Sequence, residues 1–201
     1  MFKFRKMVVM PPSTPAKTAA YVSTFAALII VLGFIPPIPT GPLGVPIVVQ
    51  NLGVMVAGLL LGPRRGTLSV ALFMALACTG LPILPGGRSG LVAIVSPTAG
   101  FFIGYLFAAF IIGWISTYRQ GRNIGINVLA CVVGAIIVNY ACGVIGVMLV
   151  GDVSFKAALL TLPPFLPGDS IKAVVAATTA AAVHRALPYV RPVSIDHASE
   201  E

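Results

Sequence analysis

The sequence predicts an all-α integral membrane protein with about six transmembrane helices. Hydrophobic residues make up 58% of the 201 residues and charged residues only 9%, and the mean hydropathy is +1.01. Soluble domains of ordinary composition are far more polar. Apolar stretches recur along the chain, each bounded by glycine and proline clusters or by basic residues. Because a helix that crosses a bilayer needs about 20 mainly apolar residues, these stretches are candidate spans.

The first three apolar segments occupy residues 19–35, 47–61 and 66–80. The first segment begins just after Lys17, and a Gly-Pro-Arg-Arg sequence at 62–65 separates the second from the third. The second and third segments are short for a full span, which leaves room for one of them to be kinked or only partly inserted.

The last three apolar segments occupy residues 98–116, 125–150 and 167–186. Splitting the segment at 125–150 would leave two pieces too short to cross a hydrocarbon core about 30 Å thick, so we predict one tilted helix there. Pro167 and Gly168 open the last segment, as is typical of the start of a helix.

The basic residues predict the orientation of the chain. Ten of them fall on one side of an even-numbered topology: Lys3, Arg5, Lys6, Lys17, Arg64, Arg65, Arg119, Arg122, Arg185 and Arg191. The positive-inside rule makes that side cytoplasmic. We therefore expect a basic cytoplasmic amino terminus (1–18), a six-helix membrane domain (19–187) and a polar cytoplasmic tail (188–201).

The charge distribution, the cysteine spacing and the motifs together exclude several classes of function. The net charge of +8 is spread between apolar segments, which indicates contact with the lipid bilayer and no nucleic-acid partner. The cysteines share no CxxC spacing and have no neighbouring histidine, so no metal site is expected. No nucleophile or metal-ligand motif accompanies His184 or His197, and we expect no catalytic residues and no enzyme activity.

One acidic and one basic residue stand together at the start of the last segment. Asp169 and Asp152 are the only acidic residues among the first 195, and Lys172 follows Asp169 at i+3 on the same helical face. Asp169 as a helix cap with Lys172 as its salt-bridge partner is one interpretation. The other is a functional site, since an ionisable pair in an apolar span is costly.

The predicted outer loop at 81–97 contains a second candidate site. Its Gly86-Gly87-Arg88 sequence places a guanidinium among residues that let the backbone turn sharply. A tight loop without further function is one interpretation. Arg88 has no topological role on the outer face, however, and a guanidinium suits a carboxylate, which favours an anionic ligand.

Four stretches of the chain resemble the BioY family, the substrate-binding S components of energy-coupling-factor (ECF) biotin transporters. They are residues 45–66, the Gly86-Gly87-Arg88 loop, Ser96-Pro97-Thr98-Ala99-Gly100, and the sequence Pro164-Phe165-Leu166-Pro167-Gly168-Asp169-Ser170-Ile171-Lys172. The resemblance covers roughly residues 18–187 and is most specific in the last stretch. Ser170 departs from the apolar residue expected there without removing either charged position.

The resemblance implies a biotin pocket near the outer surface, with biotin as transported substrate and no cofactor. Asp169 would accept hydrogen bonds from the ureido N–H groups, and Lys172 and Arg88 would meet the ureido oxygen or the carboxylate, in an order that the sequence leaves open. Further candidates for contact with biotin are Gly87, Tyr140, Asn139, Gln50 and Asn51. Hydrogen bonds between helices for Tyr140 and Asn139, and loop capping for Gln50 and Asn51, are the alternatives.

The resemblance also implies partners in a prokaryotic cell membrane: a membrane-embedded coupling subunit and ATPase subunits. The chain has no GxxxxGK[ST] loop, so ATP would be hydrolysed by other subunits. Small residues at four-residue spacing on the first segment, Ala19, Ser23 and Ala27, suit docking of a partner helix or packing within the bundle. A homo-oligomer is left open.

Two other functions compete with biotin uptake. An ion-coupled secondary transporter of small anions would often be built from repeated halves, and no internal repeat is visible. A non-transporting membrane scaffold would not need Arg88, Asp169 and Lys172 at one opening. The sequence therefore favours a transporter subunit that captures biotin.

Overall fold

The computed structural model describes residues 14–39, 45–118 and 121–187. Most of the predicted amino-terminal region and the whole predicted tail lie outside these residues. The described part is helical, with two isolated β-bridges and no β-strand. Its α-helices are α1 (Pro15–Gly33), α2 (Gln50–Cys78), α3 (Gly90–Ile94), α4 (Ala99–Thr117), α5 (Ile124–Cys131), α6 (Asn139–Gly151), α7 (Phe155–Leu159) and α8 (Leu166–Ala186).

Helix α2 is folded back on itself and contains both short predicted segments. Gly62 has φ 78° and ψ −175°, outside the helical range, and Pro63 follows it. Gly66 packs against the backbone of Ala57 and Gly58, which a straight helix would hold roughly 12 Å away. Residues 50–61 and 63–78 are therefore two antiparallel arms, joined where the sequence predicted an interruption.

The longest predicted segment is one continuous helix, as expected. A π-helix, Val132–Val138, joins α5 to α6 without a break. Gly134 in the π-helix packs closely on α4, because a Cβ atom there would lie 2.8 Å from the carbonyl oxygen of Ala108. The extra residue per turn of a π-helix changes the direction in which the following side chains point, and these include Asn139 and Tyr140.

Helix α4 lies at the centre of the bundle and makes its closest contacts through glycine. A Cβ atom at Gly100 would overlap the carbonyl oxygen of Cys142 on α6, and one at Gly113 would overlap the backbone at Gly62 and Pro63. Such small residues let helix backbones approach one another within a membrane. Much of the apolar core lies where α2 meets α4, and it includes Phe73 and Phe102, whose ring centroids are 6.2 Å apart.

The two ends of the bundle differ in charge as the sequence predicted. At one end, Gly113 meets the α2 turn beside Arg64, and His184 contacts Gly121. Arg122 and Arg185 are exposed at this same end. The other end carries Gln50, Asp169 and the segment at 79–98. The separation agrees with the predicted inner and outer faces, although the side of the membrane on which the termini lie stays a prediction.

Among the described residues, four helices are long and apolar enough to span a membrane by length and composition: Pro15–Gly33, Gln50–Cys78, Ala99–Thr117 and Ile124–Gly151. The structure therefore describes a multi-pass membrane protein. The two arms of α2 and the helix α8 complete the six predicted segments as helices, while the number of full crossings stays a prediction. Helix α1 begins at Pro15, so the predicted domain boundary after residue 18 falls inside a helix.

Candidate functional site

A pocket opens at the end of the bundle that carries Asp169. It contains about 600 Å³ of empty space, part of it continuous with solvent. The first turns of α2, α4 and α8, the residues at 84–88 and the start of α6 contribute its walls. The predicted site residues among those that line it are Gln50, Asn51, Arg88, Asn139, Tyr140 and Asp169.

The carboxylate of Asp169 is the centre of a buried polar network. Its Oδ1 atom accepts hydrogen bonds from Asn51 Nδ2 at 2.8 Å and from Lys172 Nζ at 2.7 Å. Its Oδ2 atom accepts one from the Tyr140 hydroxyl at 2.7 Å. Asp169 makes no side-chain cap of α8. Its acceptor atoms instead join three separate helices at the pocket.

The ammonium group of Lys172 is held by three oxygen atoms. Besides Asp169, it donates to the main-chain oxygen of Val48 at 2.6 Å and to Asn51 Oδ1 at 3.0 Å. The side chains of Lys172 and Asp169 are 12% and 6% exposed. A pair buried to this degree is stable only when its remaining hydrogen-bonding capacity is satisfied. Lys172 therefore lies behind Asp169 and holds its carboxylate in position, outside the set of pocket-lining residues.

Arg88 lies on the pocket wall at the end of a tight turn. Leu84 and Arg88 form an isolated bridge around Gly86 and Gly87, whose φ angles are 77° and 71°. Positive φ at both positions favours glycine. Gly87 itself is exposed and does not line the pocket. Its place in the structure is to form the turn that presents Arg88.

The charge of Arg88 has no acidic partner within the described part of the chain, where the only salt bridge joins Lys172 to Asp169. Its guanidinium makes long hydrogen bonds, 3.4 Å each, to the Pro85 oxygen and to Thr98 Oγ1. Hydrogen bonds at this distance are weak. The guanidinium is thus available to an anionic group in the pocket.

Asn139 lines the pocket, and its side-chain oxygen is directed at α4. The residue is 4% exposed, and its Oδ1 atom has no hydrogen-bond partner among the described residues. Gly104 on α4 leaves the space for that oxygen, since a Cβ atom there would overlap it. A buried polar atom without a partner is costly. The oxygen is enclosed against α4, so the part of Asn139 that lines the pocket is not this acceptor.

Gln50 is used differently from its neighbour Asn51. It lines the pocket, but its Nε2 atom donates to the main-chain oxygens of Ile29 at 3.1 Å and Ile83 at 3.0 Å. The amide nitrogen therefore links α1 to the segment that leads to Arg88. This arrangement corresponds to loop capping, the alternative to ligand contact for Gln50.

An aromatic cluster forms an apolar wall that the sequence reasoning did not identify. The ring centroids of Phe101, Tyr140 and Phe165 lie 6.1 to 6.3 Å from one another. All three residues line the pocket, as do Thr98 and Tyr105. Phe101 directly follows the Ser-Pro-Thr-Ala-Gly sequence, and Phe165 lies within the last family-like stretch. Their place in or beside these stretches was the available signal.

Ala19, Ser23 and Ala27 lie away from the pocket on an exposed face of α1. The buried residues of this helix, Ala26, Ile29 and Gly33, form another face that packs toward α2. Within the described chain, packing inside the bundle therefore does not explain the small residues at these three positions.

Comparison with known proteins identifies the family. The model of the BioY family matches residues 6–189. The biotin transporter BioY of Rhizobium etli is 44% identical over 165 residues, 79% of this chain and 88% of the relative. That of Rhodobacter capsulatus is 43% identical over 184 residues, 86% of this chain and 95% of the relative.

A solved structure agrees with the sequence comparisons. The crystal structure of the S component for biotin from an ECF-type ABC transporter matches with a TM-score of 0.79 and 34% identity. The match covers 88% of this chain and 95% of the other. With a family model matched across most of its length and relatives above 40% identity, this chain belongs to the BioY family.

Proposed function

We propose that this chain is the substrate-binding membrane subunit of a biotin uptake transporter in a prokaryotic cell membrane. It captures biotin at its outer face and passes it inward together with ATP-driven partner subunits. The observation that carries the proposal is the pocket built around Asp169 in a chain that is 43–44% identical to named biotin transporters. An ion-coupled transporter and a scaffold have no comparable support.

The donors and acceptors of the pocket suit the two ends of biotin. The ureido ring offers two N–H donors, for which the Asp169 carboxylate on the pocket wall is the acceptor. The Phe101, Tyr140 and Phe165 rings provide an apolar wall for the bicycle. A mainly apolar pocket with a few placed polar groups is typical of a small-molecule site.

The two cations of the site are assigned different roles. Lys172 already donates to three oxygens and shares its charge with Asp169. Arg88 has no carboxylate partner among the described residues. Arg88 is therefore the group that pairs with the biotin carboxylate, since a guanidinium suits a carboxylate geometrically. Lys172 pairs with Asp169 and holds its carboxylate in place.

The transport partners are ATPase subunits and a membrane-embedded coupling subunit, and the coupling subunit docks on α1. Ala19, Ser23 and Ala27 form what we call the α1 small-residue face, and all three are exposed. Only 17% of the apolar window of α1 is buried, the smallest share among the four long helices. Small exposed residues at this spacing let a partner helix approach closely.

Ligand preference tests the proposed substrate. The purified protein should bind biotin at least about a hundredfold more tightly than an analogue with both ureido nitrogens methylated, a difference of about 2.7 kcal/mol. The methylated ring leaves buried acceptors unpaired. Isothermal titration calorimetry measures both affinities. Equal affinity for the two ligands would contradict biotin as the substrate.

Biotin methyl ester tests the assignment of Arg88. The unmodified protein should prefer biotin over the ester, because the ester removes the carboxylate charge. In an Arg88→Met variant, that preference should disappear. A preference that persists in Arg88→Met and disappears in Lys172→Met would reverse the roles of the two cations.

A further inference from the structure

The side chain of Gln50 is enclosed at a junction of three parts of the chain. It is 1% exposed and begins α2. Its Nε2 atom donates at 3.1 Å to the main-chain oxygen of Ile29 on α1. It also donates at 3.0 Å to that of Ile83, which follows the second arm of α2 in the chain. Gly33 completes the junction, because a Cβ atom there would overlap the Gln50 amide. One amide group therefore connects α1, α2 and residues 79–88, which we call the outer segment.

The outer segment continues directly from Ile83 to Arg88. Ile83 and Leu84 are buried, at 8% and 5% exposure. The amide of Leu84 donates to the Arg88 oxygen at 3.0 Å, and that of Gly87 donates to the Leu84 oxygen at 3.0 Å. The turn that carries Arg88 thus starts one residue after the carbonyl group that Gln50 holds.

The contacts of Arg88 itself are too weak to fix its position. Both hydrogen bonds of its guanidinium are 3.4 Å long, near the limit for such a bond. The placement of Arg88 in the pocket consequently depends on how its turn is attached to the bundle. Within the described residues, the Gln50 amide provides a buried side-chain attachment for that turn.

We propose that Gln50 is a positioning residue for Arg88, which it holds in the pocket by tying Ile83 to α1. This inference rests on the proposed function, since its readout is biotin affinity. Gln50 acts through the turn at 84–88, and its loss affects the ligand because Arg88 is displaced. A direct contact between Gln50 and biotin would make its effect independent of Arg88.

A double-mutant cycle separates the two roles. Gln50→Met keeps the side-chain volume but cannot donate a hydrogen bond to either carbonyl group. It should weaken biotin binding by about tenfold or more when Arg88 is present and by less than about twofold in the Arg88→Met background. Equal losses in both backgrounds would overturn the proposal. Gln50→Asn provides a second variant that keeps the amide but shortens its reach, and it should show the same dependence on Arg88.

Asn127 offers a matched control for stability. It too is a buried amide whose Nδ2 atom donates to two main-chain oxygens, those of Gly121 at 2.8 Å and Ala177 at 3.4 Å. It lies at the opposite end of the bundle. Asn127→Leu should lower the melting temperature and leave biotin affinity within about twofold.

A comparable loss of affinity in Asn127→Leu would overturn the positioning role, because general destabilisation would then explain the effect of Gln50→Met. Binding of biotin by the unmodified chain and by Asn127→Leu, with normal binding by Gln50→Met, would contradict only this inference. Absence of biotin binding by the unmodified chain would contradict the proposed function, and this inference with it.

Discussion

At the scale of single residues, the Asp169 carboxylate accepts hydrogen bonds from side chains and does not cap the start of α8. Asn51, Tyr140 and Lys172 each donate to its carboxylate. Removing one member of a buried ion pair leaves the other charge unpaired, which typically costs several kcal/mol. The network therefore links the stability of this end of the bundle to the state of the proposed site.

Asp169→Asn should lower biotin affinity at least about tenfold, equivalent to about 1.4 kcal/mol, while the protein still inserts in the membrane. The amide keeps the volume but removes the charge that pairs with Lys172 and replaces one acceptor with a donor. Affinity and melting temperature should be measured on the same preparation. Lys172→Met should weaken binding as well.

Asp152→Asn is the matched control for this substitution. Asp152 is exposed and follows α6 with φ 48°, a left-handed conformation that asparagine also adopts. The biotin affinity and the melting temperature of the Asp152→Asn variant should both stay unchanged. Undiminished affinity in Asp169→Asn would place Asp169 in the scaffold and remove the main support for the location of the ligand.

At the scale of helices, glycine fixes the distance between α4 and α6. Gly100 and Gly146 face each other so closely that a Cβ atom on either would overlap the opposite backbone. The same pair of helices brings Phe101, Asn139 and Tyr140 to the pocket. The contact between α4 and α6 therefore determines the shape of the pocket wall that these residues form.

Gly100→Ala should force α4 and α6 apart and destabilise the protein by about 1–3 kcal/mol, the usual range for overpacking. Thermal unfolding in detergent measures the loss. Gly151→Ala at the end of α6 is the control, because the nearest atom to a Cβ there is 3.9 Å away, an ordinary van der Waals contact. Equal melting temperatures for the two variants would contradict the close contact.

Ala27→Trp on the α1 small-residue face should prevent assembly with the coupling subunit and the ATPases while biotin affinity stays within about twofold. The bulky ring blocks the close approach of a partner helix. Co-purification and uptake of labelled biotin measure the effect. Leu129→Trp is the control, since Leu129 is exposed on α5, away from this face. Normal assembly of Ala27→Trp would contradict docking on α1.

At the scale of the whole molecule, a group of basic residues and the pocket occupy opposite ends. Arg64, Arg122 and Arg185 accompany the α2 turn and the Gly121–His184 contact. The pocket opens at the other end, beside Arg88 and Asp169. A substrate captured outside the cell requires that the basic end face the cytoplasm.

Cysteine labelling checks this orientation. In a background without Cys78, Cys131 and Cys142, Lys156→Cys should react with a membrane-impermeant thiol reagent added outside, and Arg122→Cys should react only after the membrane is opened. Both positions are exposed in the structure. The reverse labelling pattern would overturn the topology and place the pocket on the inner face.

Much of the architecture could be predicted from local sequence. Helix α8 begins within one residue of the prediction because Pro167 stands in its first turn, and residues 124–151 form the single long helix expected from length. The Gly62–Pro63 interruption marked the α2 turn. The short helices α3 and α7 were not predicted, since five-residue helices have no usable apolar periodicity.

The sequence by itself determined the membrane class, the distribution of charge and the Asp169–Lys172 pair, because these depend on composition and on spacing within one helix. Only the tertiary structure decided which distant groups meet them. Asn51 lies 118 residues from Asp169 along the chain, and the contact exists because the start of α8 packs beside the start of α2. The rotation of each helix within the bundle assigned Gln50 to the outer segment and left Asn139 facing the pocket, and no local pattern encodes that rotation.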